Sequence, residues 1–259
     1  MTASDNQRGT EDVEQPLIAH LIELRARLLR SLICLLAAFI LLAFFSNELY
    51  NIIAIPLLAS LPKNSNMIAT EVASPFLVPF KLTAYVSLFV CMPYLLYQAW
   101  AFVAPGLYKN EKRLVFPLLA SSVILFYLGM AFAYFAVFPL LLGFFTSVAP
   151  SGVVVMTDIS HYLSFVLKMF FAFGLVFEVP VATVLLISSG IVDIGTMTKK
   201  RPYIIVGAFT LGMLLTPPDV LSQILLAVPI WALFELGLFF SRYFLKKPAE
   251  EMIGGDSGE

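Results

Sequence analysis

The chain has 259 residues, 60% of them hydrophobic and 13% charged, with a mean hydropathy of +0.91 and a formal net charge of −1. A soluble domain of this size has no interior large enough for so much apolar surface, so the composition points to an integral membrane protein. With no excess of basic charge, nothing suggests a nucleic-acid partner.

Residues 1–15 are polar and acidic and read as a disordered tail, and no short apolar stretch with a small-residue cleavage site suggests a cleaved leader. From Pro16 onward Leu17, Ile18, Leu21, Leu24 and Leu28 recur at helical spacing, and Pro16 suits a first helical turn. This predicts a helix that starts at the interface and continues into a first span near 28–46. Its extension carries His20, Glu23, Arg25 and Arg27. The plainer reading of the same residues is an amphipathic segment anchored by arginines.

A helix needs roughly 20 residues to cross a ~30 Å hydrocarbon core. Spans are expected near 28–46, 79–103, 114–138, 162–188, 202–216 and 220–241. The fold class is therefore all-α, with six transmembrane helices inside a 16–245 membrane domain and a second disordered tail at 246–259. The last two helices are expected to be short. The fifth stops at Pro217–Pro218, which cannot continue a helix interior.

Cations set the orientation. Thirteen of the sixteen Lys and Arg fall in the N-terminal segment, the second gap, the fourth gap and the tail, against Lys63 alone in the first gap. By the positive-inside rule both termini are cytoplasmic. Lys81 and Lys168 lie near outer ends of spans, where long side chains reach the interface. The stretch Trp100–Arg113 is then a cytoplasmic island between long uncharged runs, and it sets Glu111 beside Lys109, Lys112 and Arg113. On the other side, 47–78 and 139–161 form the larger loops.

Few polar groups interrupt the spans. Glu178 falls within the fourth, where an acid costs ~2.5–3.5 kcal/mol on insertion scales and should face protein or water. Tyr134 on the third span is one hydroxyl able to meet it. A structural polar contact and a functional acid are both open for Glu178. Asp219 suits the first turn of the last helix as a cap. Thr216 and Gln223 add hydrogen-bonding groups at the same end. Glu235 reads as an interfacial or helix-contact residue and His161 as an interface residue. Cys34 and Cys91 lie in apolar segments and read as packing residues, so no disulfide framework, metal site or cofactor is expected. The chain has no HExxH, GxSxG or P-loop motif, and an enzyme is not indicated.

Several blocks in order carry a resemblance. HLIELRARLL at 20–29, MIATEVASPF at 67–76, YQAWAFVAPGLYKNEKR at 97–113 and GMAFAYFAVFP at 129–139 are followed by FEVPV at 177–181, KKRPYIIVGAF at 199–209 and MLLTPPDVLSQ at 213–223. Over roughly 14–245 the chain resembles the TatC family, the multispanning subunit of the twin-arginine protein translocase. The resemblance implies a bacterial inner-membrane receptor for twin-arginine signal peptides. Such a receptor organises TatB and TatA, associates with itself, and exports folded proteins on the proton-motive force. Carried over, the signal-peptide site comprises Glu23, Arg25, Phe102, Pro105, Leu107, Tyr108, Lys109 and Glu111. Pro56, Glu178 and Asp219 match family positions tied to function, and Met213, Thr216 and Gln223 match the region that meets partner helices. Guanidinium–carboxylate pairing agrees with two acids at one interface. The alternative class is a small-solute secondary transporter, suggested by an intramembrane acid and a short helix pair. A passive scaffold is a third reading.

Overall fold

The computed structural model describes residues 5–51, 67–103, 115–147, 157–215 and 220–245. Within them, helices account for nearly everything. Helix α1 runs Asp5–Ala43, so the stretch expected as a tail is helical from Asp5. A two-residue strand β1, Met67–Ile68, precedes α2, Ser74–Val103. Helix α3, Val115–Phe132, continues through a wide π-helical turn at Ala133–Val137 into α4, Phe138–Ser147. Strand β2, Thr157–Asp158, leads to α5, Ile159–Val176, then α6, Val179–Ser188. Helix α7, Ile194–Lys199, precedes α8, Arg201–Leu215, and α9, Val220–Leu245.

Among the described residues, five helical units are long and apolar enough to cross a membrane: 18–43, 74–102, 116–144, 159–188 and 223–243. The shorter apolar helix 201–214 completes the set. The expectation that the last two helices are both short needs correction. Helix α8 has 15 residues, but α9 has 26 and is long enough to span. It continues past the expected end at 241 because Arg242 is no obstacle. Its guanidinium extends from the helix end and donates to Thr198 Oγ1 at 3.3 Å.

The third span is also longer than expected. The run LLLGFF, read as the start of a loop, is helical to Ser147. Pro139 is accommodated just after the wide turn, in which the Phe138 N–H reaches back to Ala133 O. An i→i−5 turn absorbs the break that a missing N–H would make in a regular ladder. The fourth span, by contrast, is broken. Phe177 and Glu178 form a turn between α5 and α6, because Pro180 has no N–H to offer Val176 O four residues back.

Helix α5 is the centre of the bundle. Nine of its residues are buried, on more than one face, as expected of a helix that is apolar all round. One core lies on its first side, where Leu163 and Leu167 meet Leu82 and Phe89 of α2 and Phe126 of α3. Another lies on its second side, where Phe173 and Val176 meet Leu226, Ile230 and Leu233 of α9. Helices α3 and α5 cross closely at Gly174. An ideal Cβ there would lie 2.5 Å from the Phe126 ring.

Helix α2 contains Pro79 and Pro93. Pro93 leaves the Phe89 carbonyl without its usual donor. Tyr127 of α3 fills the gap, its hydroxyl donating to Phe89 O at 2.9 Å. In hydrocarbon an orphan carbonyl costs several kcal/mol, so this bond both repairs α2 and ties it to α3.

At the opposite end from Glu23, one carboxylate joins two loops. Strands β1 and β2 pair in parallel, Met67 with Thr157 and Ile68 with Asp158. Asp158 Oδ2 accepts from the Thr70 amide at 2.9 Å and its hydroxyl at 2.6 Å. Oδ1 caps α5, accepting from the Ser160 and His161 amides at 2.9 Å each. These bonds, led by the Thr70 hydroxyl, hold the Asp158 carboxyl well below the usual carboxylate range. A depressed folded pKa means the stabilisation is present above the ordinary value and is lost only as pH falls through the lower one. Protection of the Thr70, Ser160 and His161 amides from hydrogen exchange is therefore expected to persist across pH 5–8. Asp158→Ala is expected to remove it at every pH. Unchanged protection in that variant would show that the strand pair alone holds the loop.

Candidate functional site

Helices α1 and α2 run antiparallel and meet along one seam. His20, Arg27 and Cys34 are seven residues apart, which places them on one face of α1. They face Phe102, Gln98 and Cys91, whose numbers fall as those of α1 rise. The His20 ring stacks on Phe102 with centroids 4.2 Å apart and planes at 22°. Arg27 Nη1 donates to Gln98 Oε1 at 3.3 Å. The Cys34 and Cys91 sulfurs are 3.6 Å apart as free thiols. No residue of Ile18–Ala43 is fully buried, so α1 offers one flank to α2 and leaves apolar side chains exposed on the others.

Glu23 lies one turn before Arg27. Arg27 Nε and Nη2 donate to the same oxygen, Glu23 Oε1, at 2.9 and 2.6 Å. The Glu23 side chain is 36% exposed and that of Arg27 19%. Gln98 is buried, and its amide nitrogen donates to the Tyr94 hydroxyl at 2.7 Å. Arg25 is exposed and makes no hydrogen bond or ion pair among the described residues.

The last turns of α2 carry one further tie. Gln98 and Phe102 face α1, while Trp100, between them, faces α3. Its indole Nε1 donates to Ser122 Oγ at 3.1 Å, with both residues buried. Ser122 in turn interacts with the Glu178 carboxyl. Glu178 Oε1 is buried and has no hydrogen-bond partner among the described residues. Glu178 thus sits in a helix break level with Ser122, about two turns from the Val115 end of α3. Ser122, rather than Tyr134, is the hydroxyl near it. Tyr134 belongs to the wide turn farther along and packs edge-on against Phe135, with centroids 4.9 Å apart.

Among the remaining expected residues, Met213 is 61% exposed near the end of α8. Gly212 beside it lies against α9, where its Cβ would be 3.4 Å from Gln223 Cα. Met213 and Gln223 therefore come from the two helices that meet at this end. Of the two readings open for Glu235, it is a helix contact. Arg201 Nη2 donates to its Oε2 and Arg201 Nε lies beside its Oε1, each at 2.7 Å, so a fork joins α8 to α9. Pro56, Pro105, Leu107, Tyr108, Lys109, Glu111, Thr216 and Asp219 lie outside the described residues, as does the 246–259 tail.

Sequence reasoning did not single out Gln98, Trp100 or Ser122 and took Arg27 for an interfacial anchor. The i,i+4 spacing of Glu23 and Arg27 was the one available signal for their pairing. The others depend on contacts between helices.

The family profile described as Sec-independent protein translocase protein (TatC) matches residues 19–229. The chain belongs to the TatC family. Sec-independent protein translocase protein TatC of Azotobacter chroococcum mcd 1 is 60% identical over 233 residues, covering 90% of this chain and 91% of its own length. The TatC protein of Escherichia coli strain K12 is 59% identical over 233 residues, with 90% of each chain covered. A crystal structure of the twin arginine translocase receptor TatC superposes with a TM-score of 0.77 at 36% identity, covering 86% of this chain and 98% of that one. The protein is thus a multi-helix membrane component of the TatC protein-translocase family.

Proposed function

We propose that this chain is the receptor for signal peptides with consecutive arginines, and the assembly core of a translocase exporting folded proteins across the bacterial inner membrane. The observation that carries the reading is the Glu23 carboxylate. It stands part-exposed at the mouth between α1 and α2, beside the His20–Phe102 stack. In sequence, Pro105, Leu107, Tyr108, Lys109 and Glu111 follow soon after Phe102, and the reading adds them to the site. In this reading both termini are cytoplasmic, six helices cross the membrane, and Glu23 and Glu111 meet the two arginines. Met213, Thr216 and Gln223 contact the helices of TatB or TatA, copies of the chain associate in the receptor complex, and the proton-motive force drives transport. The likeness to the crystal structure of a twin arginine translocase receptor and to Sec-independent protein translocase proteins supports it.

The test is photocrosslinking from residue 111 to a twin-arginine signal peptide, with a twin-lysine peptide as control. Glu111→Ala, read with a crosslinker at a neighbouring island position, is expected to lower the yield roughly tenfold, the scale of one lost charge-assisted bond. Protein level should not change. Equal yields from both peptides, or an unaffected variant, would remove the site. Deletion also separates this reading from small-solute transport, since it should mislocalise folded cargo rather than abolish uptake of one small molecule.

A further inference from the structure

We propose that Arg27 is a positioning residue that sets how the Glu23 carboxylate discriminates arginine from lysine. The inference rests on the receptor reading above. Two N–H groups of Arg27 converge on Glu23 Oε1. A guanidinium facing a free carboxylate ordinarily takes both oxygens, one per N–H. Here the pairing is confined to one oxygen because a further nitrogen, Nη1, is held by Gln98 Oε1 of α2 at 3.3 Å. Gln98 is buried and is itself held by the Tyr94 hydroxyl. The guanidinium is thus fixed by a neighbouring helix, and it fixes the carboxylate in turn. No described donor meets Glu23 Oε2, which remains as an oriented acceptor on a part-exposed side chain.

The arrangement also alters what Glu23 attracts. A bare carboxylate favours any cation. One already paired with Arg27 has much of its charge offset, so a compact ammonium gains little by approaching it. An incoming guanidinium still gains, because its planar donors make directed bonds to Oε2 and its face can lie on a flat ring. Such a surface stands one turn away, where His20 stacks on Phe102. Both groups follow from α1 spacing: His20, Glu23 and Arg27 are at i, i+3 and i+7 on the seam face.

The experiment measures binding of fluorescent twin-arginine and twin-lysine signal peptides to the full chain in nanodiscs. Arg27→Gln is expected to weaken the twin-arginine peptide roughly tenfold, the scale of one charge-assisted bond, without weakening the twin-lysine peptide. The arginine-to-lysine preference should therefore collapse by a similar factor. Arg27→Lys keeps the charge but lacks the fork, and should recover only part of the preference. Gln98→Met leaves the Glu23–Arg27 pair intact and removes only the tie to α2. It should also reduce the preference, and it serves if Arg27→Gln does not fold. An unchanged ratio of the two affinities would overturn the proposal, as would tighter twin-arginine binding in Arg27→Gln, which would make Arg27 a competitor. Glu23→Gln separates the two levels. If it leaves twin-arginine binding intact, the receptor reading fails at Glu23. If it abolishes binding while the Arg27 and Gln98 variants keep their preference, only the positioning role fails.

Discussion

Glu178→Ala is expected to stop transport while leaving the folded protein and its signal-peptide contact intact. Glu178 occupies the turn between α5 and α6, and its Oε1 is buried without a hydrogen-bond partner among the described residues. Removing an unsatisfied buried acceptor relieves a cost on the order of 1–3 kcal/mol, so a purely structural role predicts a variant at least as stable as the parent. A role in transport predicts the reverse dissociation: stability kept, export lost. The route from the proposed site at Glu23 is short. The α2 segment 98–102 holds Arg27 through Gln98 and His20 through Phe102, while Trp100 holds Ser122, which lies near Glu178. The variant should bind and crosslink a twin-arginine peptide normally, melt at or above the parent temperature, and export a folded reporter at least tenfold more slowly. That last factor corresponds to about 1.4 kcal/mol on the limiting step. Normal export of the reporter would take Glu178 out of the mechanism.

Gly174→Val is expected to prevent stable folding. The seam between α3 and α5 joins the two halves of the core, and at Gly174 the Phe126 ring lies where a side chain would begin. Phe126 is fully buried. Overpacking ordinarily costs about 1–3 kcal/mol, and a branched side chain against a buried ring belongs at the upper end. Thermal melting in detergent and the amount of protein in membranes would both fall. Gly207→Val is the matched control, since no atom lies within 4 Å of a Cβ built at Gly207. Equal melting of the two variants would mean that α3 and α5 can separate at little cost.

The helices themselves were legible because apolar runs and clustered cations mark spans without any knowledge of packing. Helix α2 lies close to its expected bounds, and both α6 and the fourth expected span end at 188. The break before α6 was written in FEVPV, where Pro180 interrupts the ladder, yet hydropathy runs through it without a dip. The length of α9 was underestimated because Arg242 looks like an end, although a long side chain at a helix terminus reaches the interface. Glu23 and Phe102 were legible as one neighbourhood from topology and resemblance. Gln98, Trp100 and Ser122 were not, because their roles depend on the register of one helix against another. A polar residue in an apolar run does not announce its neighbours, and Glu178 lies near Ser122 rather than Tyr134 for that reason.

The Phe89 carbonyl has a consequence for how this chain tolerates change. Pro93 creates the vacancy and Tyr127 fills it, so the two residues answer to one backbone atom. Each is justified by the other. A chain that lost Pro93 would regain a regular ladder and release position 127 from its need for a hydroxyl. A chain that lost the hydroxyl first would carry an unmet carbonyl in hydrocarbon until Pro93 also changed. The order of substitution therefore matters, and drift at these positions has one open path and one closed one. The residue at 89 is indifferent to both, since only its main chain takes part.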